Sequence, residues 1–131
     1  MTVLLDTQCW LRMHADPGRL PPRARALLAS TRTRVLLSAA SIWEMAIKSA
    51  LGKLRLPLPF DEYVLTRIEQ SRTEILPIDH YHAIRVFNLL PHHRDPFDRM
   101  LVAQAQVERV AIATTDRQLA AYDVELIGLE D

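Results

Sequence analysis

The chain has 131 residues, 49% of them apolar and 24% charged, with sixteen basic side chains balancing sixteen acidic ones. These are ordinary globular proportions, expected to build one domain whose core needs no disulfide or structural metal. Zero net charge argues against coating nucleic acid through a broad positive field, and the single cysteine, Cys9, excludes a disulfide scaffold.

The opening MTVLLDTQCW has no basic stretch, its apolar run is short, and no segment approaches the ~20 apolar residues of a membrane span. A cytoplasmic protein with no membrane contact is therefore expected. Along the chain, Thr2–Leu5 reads as a buried strand ending at Asp6. Pro21–Ser30 reads as a helix with prolines at its start, Arg34–Leu37 as a second strand, and Ala39–Leu51 as a helix stopped by Gly52. The LRLPLPF bridge leads to Asp61, expected as the N-cap of a helix running to Gln70. Glu74–Ile78 is a short strand that Pro77 assigns to a sheet edge. Asp79–Leu90 is helical, PHHRDP is a loop, and Phe97–Glu108 is a helix opened by Asp98. Val110–Thr114, Asp116–Tyr122 and Val124–Leu129 read as strand, helix and strand. Alternating strands and helices predict an α/β fold, a mostly parallel sheet of about five short strands flanked by helices.

Ligands of open α/β sheets bind outside the carboxyl ends of the strands. Asp6 and Asp116 fall there, Glu44 lies one turn into a following helix, and only the fold can bring Asp98 beside them. Each acid has a plain structural explanation. Asp6, Asp98 and Asp116 suit helix starts, Ser41 and Glu44 match a capping box, and Glu44 pairs with Lys48 at i, i+4. Gathered at one edge, however, the carboxylates would repel one another unless a cation lay between them. All-oxygen donors point to Mg²⁺ or Mn²⁺ and to activation of a water, as phosphodiester cleavage requires.

LLDTQCWL, SAASIWEMAIKSALGKL, HHRDPFDRMLVAQA and IATTD together resemble the PIN-domain ribonucleases, in particular VapC-type toxins of bacterial toxin–antitoxin pairs. The resemblance runs from Thr2 to about Leu129, with the four segments in the family's order. It implies a single PIN-like domain spanning 1–131 and an endoribonuclease using Mg²⁺ or Mn²⁺. Its catalytic and metal residues would be Asp6, Glu44, Asp98 and Asp116. It also implies an RNA substrate, a cognate antitoxin that binds DNA, and a homodimer. Asp98 is preferred to Asp95 because DRMLVAQA matches the family's helix, whereas Asp95 precedes Pro96. Asp116 is a direct ligand, a water-mediated one, or a cap.

Thr7, Thr114 and Thr115 carry hydroxyls at the same edge, suited to a phosphate or equally to turn chemistry. Lys48, Arg94 and Arg99 are candidate RNA phosphate contacts, with Arg12 and Arg117 expected nearby; each also reads as a solvated ion-pair partner. Trp10 and Trp43 read as core or interface packing, or as base-stacking surfaces. Of His14, His80, His82, His92 and His93, none has zinc-like spacing, so all read as surface residues, with His92 and His93 as RNA contacts.

An aspartyl-phosphate hydrolase would want D-x-D after the first strand, where Gln8 holds the third position. A phospho-acceptor receiver would want an acidic pair near the first strand and a Lys after the last. The remaining alternative is a catalytically inactive PIN-like interaction module, which metal titration would separate from the nuclease.

Overall fold

In the computed structural model, residues 1–91 and 93–129 are described. Strands β1 (Thr2–Leu5), β2 (Arg34–Ser38), β3 (Glu74–Leu76), β4 (Ala111–Ala113) and β5 (Leu126–Ile127) form one sheet in the order β3-β2-β1-β4-β5. Every pairing is parallel, with Val3 opposite Val35 on one side and Ala111 on the other. The α/β expectation therefore holds, and β3 lies at an edge as Pro77 required.

The helices are α1 (Thr7–Ala15), α2 (Pro22–Ala29), α3 (Ala39–Ala50), α4 (Phe60–Ser71), α5 (His80–Phe87) and α6 (Pro96–Glu108). Short 3-10 turns occupy Pro17–Arg19 and Arg117–Ala121. Alternate strand residues serve opposite faces of the sheet. Val3, Leu5, Val35, Leu37, Ala111 and Ala113 pack with Trp10, Met45 and Tyr63, while Leu4, Leu36 and Ile112 pack with Leu101, Val102 and Leu119. A sheet apolar on both faces has to be covered by helices on both, which is why the strands read as continuous apolar runs.

Several boundaries depart from expectation. Helix α1 was foreseen only through Asp6 as a helix start; the polar residues of TQCWLRMHA obscure its apolar side, where Cys9 and Trp10 are buried. Asp61 is not a cap: α4 begins at Phe60 behind Pro59, whose fixed φ sets the entry, and Asp61 supplies first-turn charge. Ser41 and Glu44 do not form a capping box, since Ser38 caps α3 by accepting from the Ala40 N–H at 3.0 Å. Asp116–Tyr122 is a 3-10 turn rather than an α-helix, and β5 is shorter than its apolar run. Among the described residues no helix is long and apolar enough to cross a membrane.

Candidate active site

Parallel strands end on the same side of the sheet, so the residues following β1, β2 and β4 converge. Asp6 follows β1 directly, Thr115 and Asp116 follow β4, Glu44 lies within α3, and Asp98 stands in the first turn of α6. All four acids line one cleft of about 390 Å³, together with Asp95, Lys48, Lys53 and Thr115. The four expected acids are thus brought together, and Asp95 joins them.

Their hydrogen bonds differ in kind. Asp6 is buried, one carboxylate oxygen accepting from the Cys9 N–H at 2.7 Å and the other from the Thr114 hydroxyl at 2.5 Å. Glu44, also buried, accepts from the Thr7 hydroxyl at 2.6 Å and from Lys48 Nζ at 2.7 Å. Asp116 caps the 3-10 turn through the Gln118 N–H at 2.9 Å. Asp98 caps nothing. Helix α6 is opened by Asp95, whose carboxylate accepts from the N–H groups of Phe97 at 2.8 Å and Asp98 at 3.2 Å. The expectation that Asp98 opens the helix is corrected: Pro96 occupies the first helical position, where its missing N–H costs least, and Asp95 becomes the cap.

The electrostatics follow from this crowding. Burial raises the Asp6 pKa against the opposing hydrogen bonds from Thr114 and Cys9. Burial, then the neighbouring Asp95, Glu44 and Asp116, push Asp98 up to about 7, while His93 opposes the rise. Lys48 is pushed up chiefly by its hydrogen bond to Glu44. A cation bound here would relieve the repulsion that Asp98 feels from its neighbours.

The expected RNA contacts divide. Lys48 and the exposed Thr115 line the cleft. Thr7 is buried and orients Glu44. Thr114 is wholly buried, donating to Asp6 and accepting from the Asp116 N–H at 3.0 Å, so it cannot reach a phosphate. Arg94 lines a separate apolar groove with Trp43, Phe97 and Met100. Arg12 is near enough to Asp6 for its charge to favour the ionised form, and Arg117 is exposed just beyond Asp116.

Arg99 is not a phosphate contact. Its guanidinium is committed to the carbonyls of Leu90 at 3.0 Å, Val86 and Leu89 at 3.3 Å and His93 at 3.4 Å, and to the Tyr122 hydroxyl at 3.3 Å. It replaces the missing partners of the α5 C-terminus and the loop after it. A Lys cannot span such a fan of acceptors. Arg99→Lys is expected to lower stability by about 1–3 kcal/mol in urea unfolding, the scale of orphaned buried acceptors.

Trp10 is buried, its indole N–H donating to Thr73 Oγ1 at 3.3 Å, whereas Trp43 is 61% exposed and meets Phe97 edge-on. Cys9 is a buried core residue whose thiol burial holds protonated. His82 is not on the surface: it is buried, completes the Asp79 capping box and meets Glu108 at 2.8 Å. His14 packs on Trp10, where burial lowers its pKa to about 4. His92 lies outside the described residues.

His93 is a further residue that the sequence did not place among the acids. Rather than reaching outward to RNA, its ring lies 2.9 Å from Asp116 Oδ2 and 3.1 Å from Asp98 Oδ2. His93, Asp98 and Asp116 each present a potential ligand atom, all within 4.8 Å of one another. The only signal in the sequence was its place just before the RDPFD segment. Lys53, on the cleft rim, stood in the SAASIWEMAIKSALGKL segment but was not singled out there.

A family model described as PIN domain matches residues 3–125. Ribonuclease VapC16 of Mycobacterium tuberculosis is 47% identical over 58 residues, a match spanning 44% of this chain and 41% of that protein's length. The fold resembles VapBC2 from Rickettsia felis bound to a promoter DNA fragment, with a TM-score of 0.69 at 14% identity over 97% of this chain and 98% of that one. FitAcB from Neisseria gonorrhoeae gives a TM-score of 0.63 at 25% identity, covering 95% of this chain and 96% of that one.

Proposed function

The chain belongs to the PIN-domain family, and from that premise we propose that it is a single-domain, Mg²⁺- or Mn²⁺-dependent endoribonuclease acting as the toxin of a toxin–antitoxin pair. The observation that carries the reading is the cleft itself, where Asp6, Glu44, Asp98 and Asp116 converge. The acids facing it offer carboxylate oxygens, the set suited to a hard cation, and burial together with the neighbouring carboxylates raises the Asp98 pKa.

Asp6, Glu44 and Asp98 would hold the ion, with Asp116 in support. When bound, Mg²⁺ or Mn²⁺ would supply an activated water and neutralise charge at the phosphorus. The chain's own residues prepare for this. Cys9 and Thr114 hold the Asp6 carboxylate and Thr7 and Lys48 hold that of Glu44, so little reorganisation is left for the reaction. Lys48, Lys53 and Thr115 rim the cleft, where cations and a hydroxyl can orient an RNA phosphate.

The partners follow from the same reading. VapBC-5 from Mycobacterium tuberculosis, a structure of the same fold, is a member of the VapBC family of toxin–antitoxin systems, and a cognate antitoxin is proposed for this chain. A homodimer would cover some of its exposed apolar side chains, among them Trp43 at 61%, Tyr81 and Ile84 at 63% and Phe87 at 89% exposure.

The test is RNA cleavage by purified protein in Mg²⁺, Mn²⁺ or EDTA. Discrete fragments that require metal are expected. Asp98 keeps its proton up to about pH 7, so below that pH a cation must displace it. Mn²⁺ affinity and cleavage should both rise from pH 6 to pH 8. An absence of metal binding together with an absence of cleavage would make the chain an interaction module.

A further inference from the structure

The nuclease reading leaves one buried-side interaction without a purpose: the imidazole of His93, set between two of its carboxylates. Every atom of this residue that can hydrogen-bond is held. Its backbone N–H donates to the Tyr122 hydroxyl at 2.9 Å, and its carbonyl accepts from Arg99 at 3.4 Å. The Asp95 N–H donates to Nδ1 at 3.1 Å. That last bond decides the ring's chemistry. A backbone N–H can only donate, so Nδ1 must present its lone pair, and the proton of the neutral ring stands on Nε2. Nε2 then donates toward Asp116 and Asp98 and has no lone pair for a cation.

His93 therefore only looks like the third member of a ligand triad. We propose that His93 is a positioning residue that fixes Asp98 and Asp116 through one oxygen each, leaving the second oxygen of Asp98 for the cation. This inference rests on the metal-dependent reading above. The contacts close a ring. Asp116 caps the 3-10 turn, the turn ends at Tyr122, Tyr122 holds the backbone of His93, and the His93 ring returns to Asp116. Arg99 braces the same loop from behind. The geometry of two metal-binding carboxylates is thus set from outside the cleft, as outer-shell donors commonly set it.

The experiment is Mn²⁺ titration by calorimetry, with nitrogen hyperfine spectroscopy of the bound ion, on wild type, His93→Ala, His93→Gln and Tyr122→Phe. His93→Ala should weaken Mn²⁺ binding by about 10–100-fold, the usual cost of an outer-shell partner. His93→Gln, whose amide N–H reaches the Nε2 position, should restore most of it. Tyr122→Phe should lose a smaller amount in the same direction, and the wild-type spectrum should show no imidazole nitrogen on the ion. Wild-type affinity in His93→Ala, nitrogen coupling to His93, or a His93→Gln variant as weak as His93→Ala would each overturn the assignment. If His93→Ala does not fold, His93→Gln and Tyr122→Phe with the spectrum still decide. Failure of the wild type itself to bind Mn²⁺ would instead overturn the metal-dependent reading on which the assignment stands.

Discussion

Replacing Asp98 with Asn is expected to remove RNA cleavage and, in EDTA, to make the protein more stable. The two effects share one cause. Asp98 is a cleft carboxylate that caps no helix, and burial beside Asp95, Glu44 and Asp116 lifts its pKa to about 7. On the proposed function, losing this carboxylate should lower the cleavage rate by at least about 10²-fold, the scale of removing one preorganised electrostatic group. The stability change has the opposite sign. A carboxyl whose folded pKa is raised contributes stability that is present below its unfolded pKa and lost as pH rises through the folded one. Wild type therefore loses stability between about pH 4 and pH 7 that an amide would keep. Each pKa unit corresponds to about 1.4 kcal/mol, and with partial exposure screening the group, about 1–2 kcal/mol should separate the two proteins at pH 8. Urea unfolding in EDTA at pH 4 and pH 8 measures it: equal stability at pH 4 and a more stable variant at pH 8. A variant that is inactive but no more stable at pH 8 would mean that Asp98 is not under the strain described. Asp6 cannot serve this purpose as cleanly, because its carboxylate also caps α1.

Of the three glycines, Gly128 is the one where an added methyl (Gly128→Ala) is expected to be most damaging. Gly128 has a φ of +120°, and a Cβ there would stand 2.4 Å from the Thr114 carbonyl oxygen. The obstacle is backbone at the end of β4, where the Thr114 N–H also bonds the Ile127 carbonyl at 3.0 Å. The backbone conformation alone costs about 1–3 kcal/mol for an L side chain, and forcing the strands apart adds about 1–3 kcal/mol. Set against a typical domain stability of about 5–15 kcal/mol, a loss of about 2–6 kcal/mol should be plain in urea unfolding. Any outward shift of Thr114 would also slacken its hold on Asp6, so metal affinity should fall even where the variant remains folded. A stability within 0.5 kcal/mol of wild type, roughly the spread of neutral surface changes, would contradict the packing described.

What could be read from the residues, and what could not, divides by the reach of the interaction. Strands β1 and β2 are uninterrupted apolar runs buried on both faces, and such runs announce themselves. Pro77 placed β3 at the edge because the interior of a central strand cannot spare a ladder N–H. Asp6 and Asp116 were legible as acids following strands. The assignment of caps was less secure, because two aspartates flank Pro96 and Phe97 and either suits a helix start. Proline's preference for the first helical position settles it in favour of Asp95. Interactions between distant segments left no local trace. Thr114 looked like a surface hydroxyl until the fold set it on Asp6. Arg99 looked like a phosphate ligand until the C-terminus of α5 supplied it with carbonyls. His93 and His82 looked solvent-facing because nothing in HHRD or DHYH reveals that Asp116 and Glu108 lie across from them.

The bond from Thr114 to Asp6 joins residues 108 positions apart, and this bears on how the protein is made. Strand β1 forms the middle of the sheet, yet one of its two neighbours, β4, is synthesised only after β2, β3 and α6. Until then Asp6 lacks the hydroxyl that orients it, and Asp116 does not exist. A polypeptide cut short before residue 111 would have no assembled cleft. On the proposed function, a nascent chain could not cleave RNA before β4 and the residues that follow it have been made.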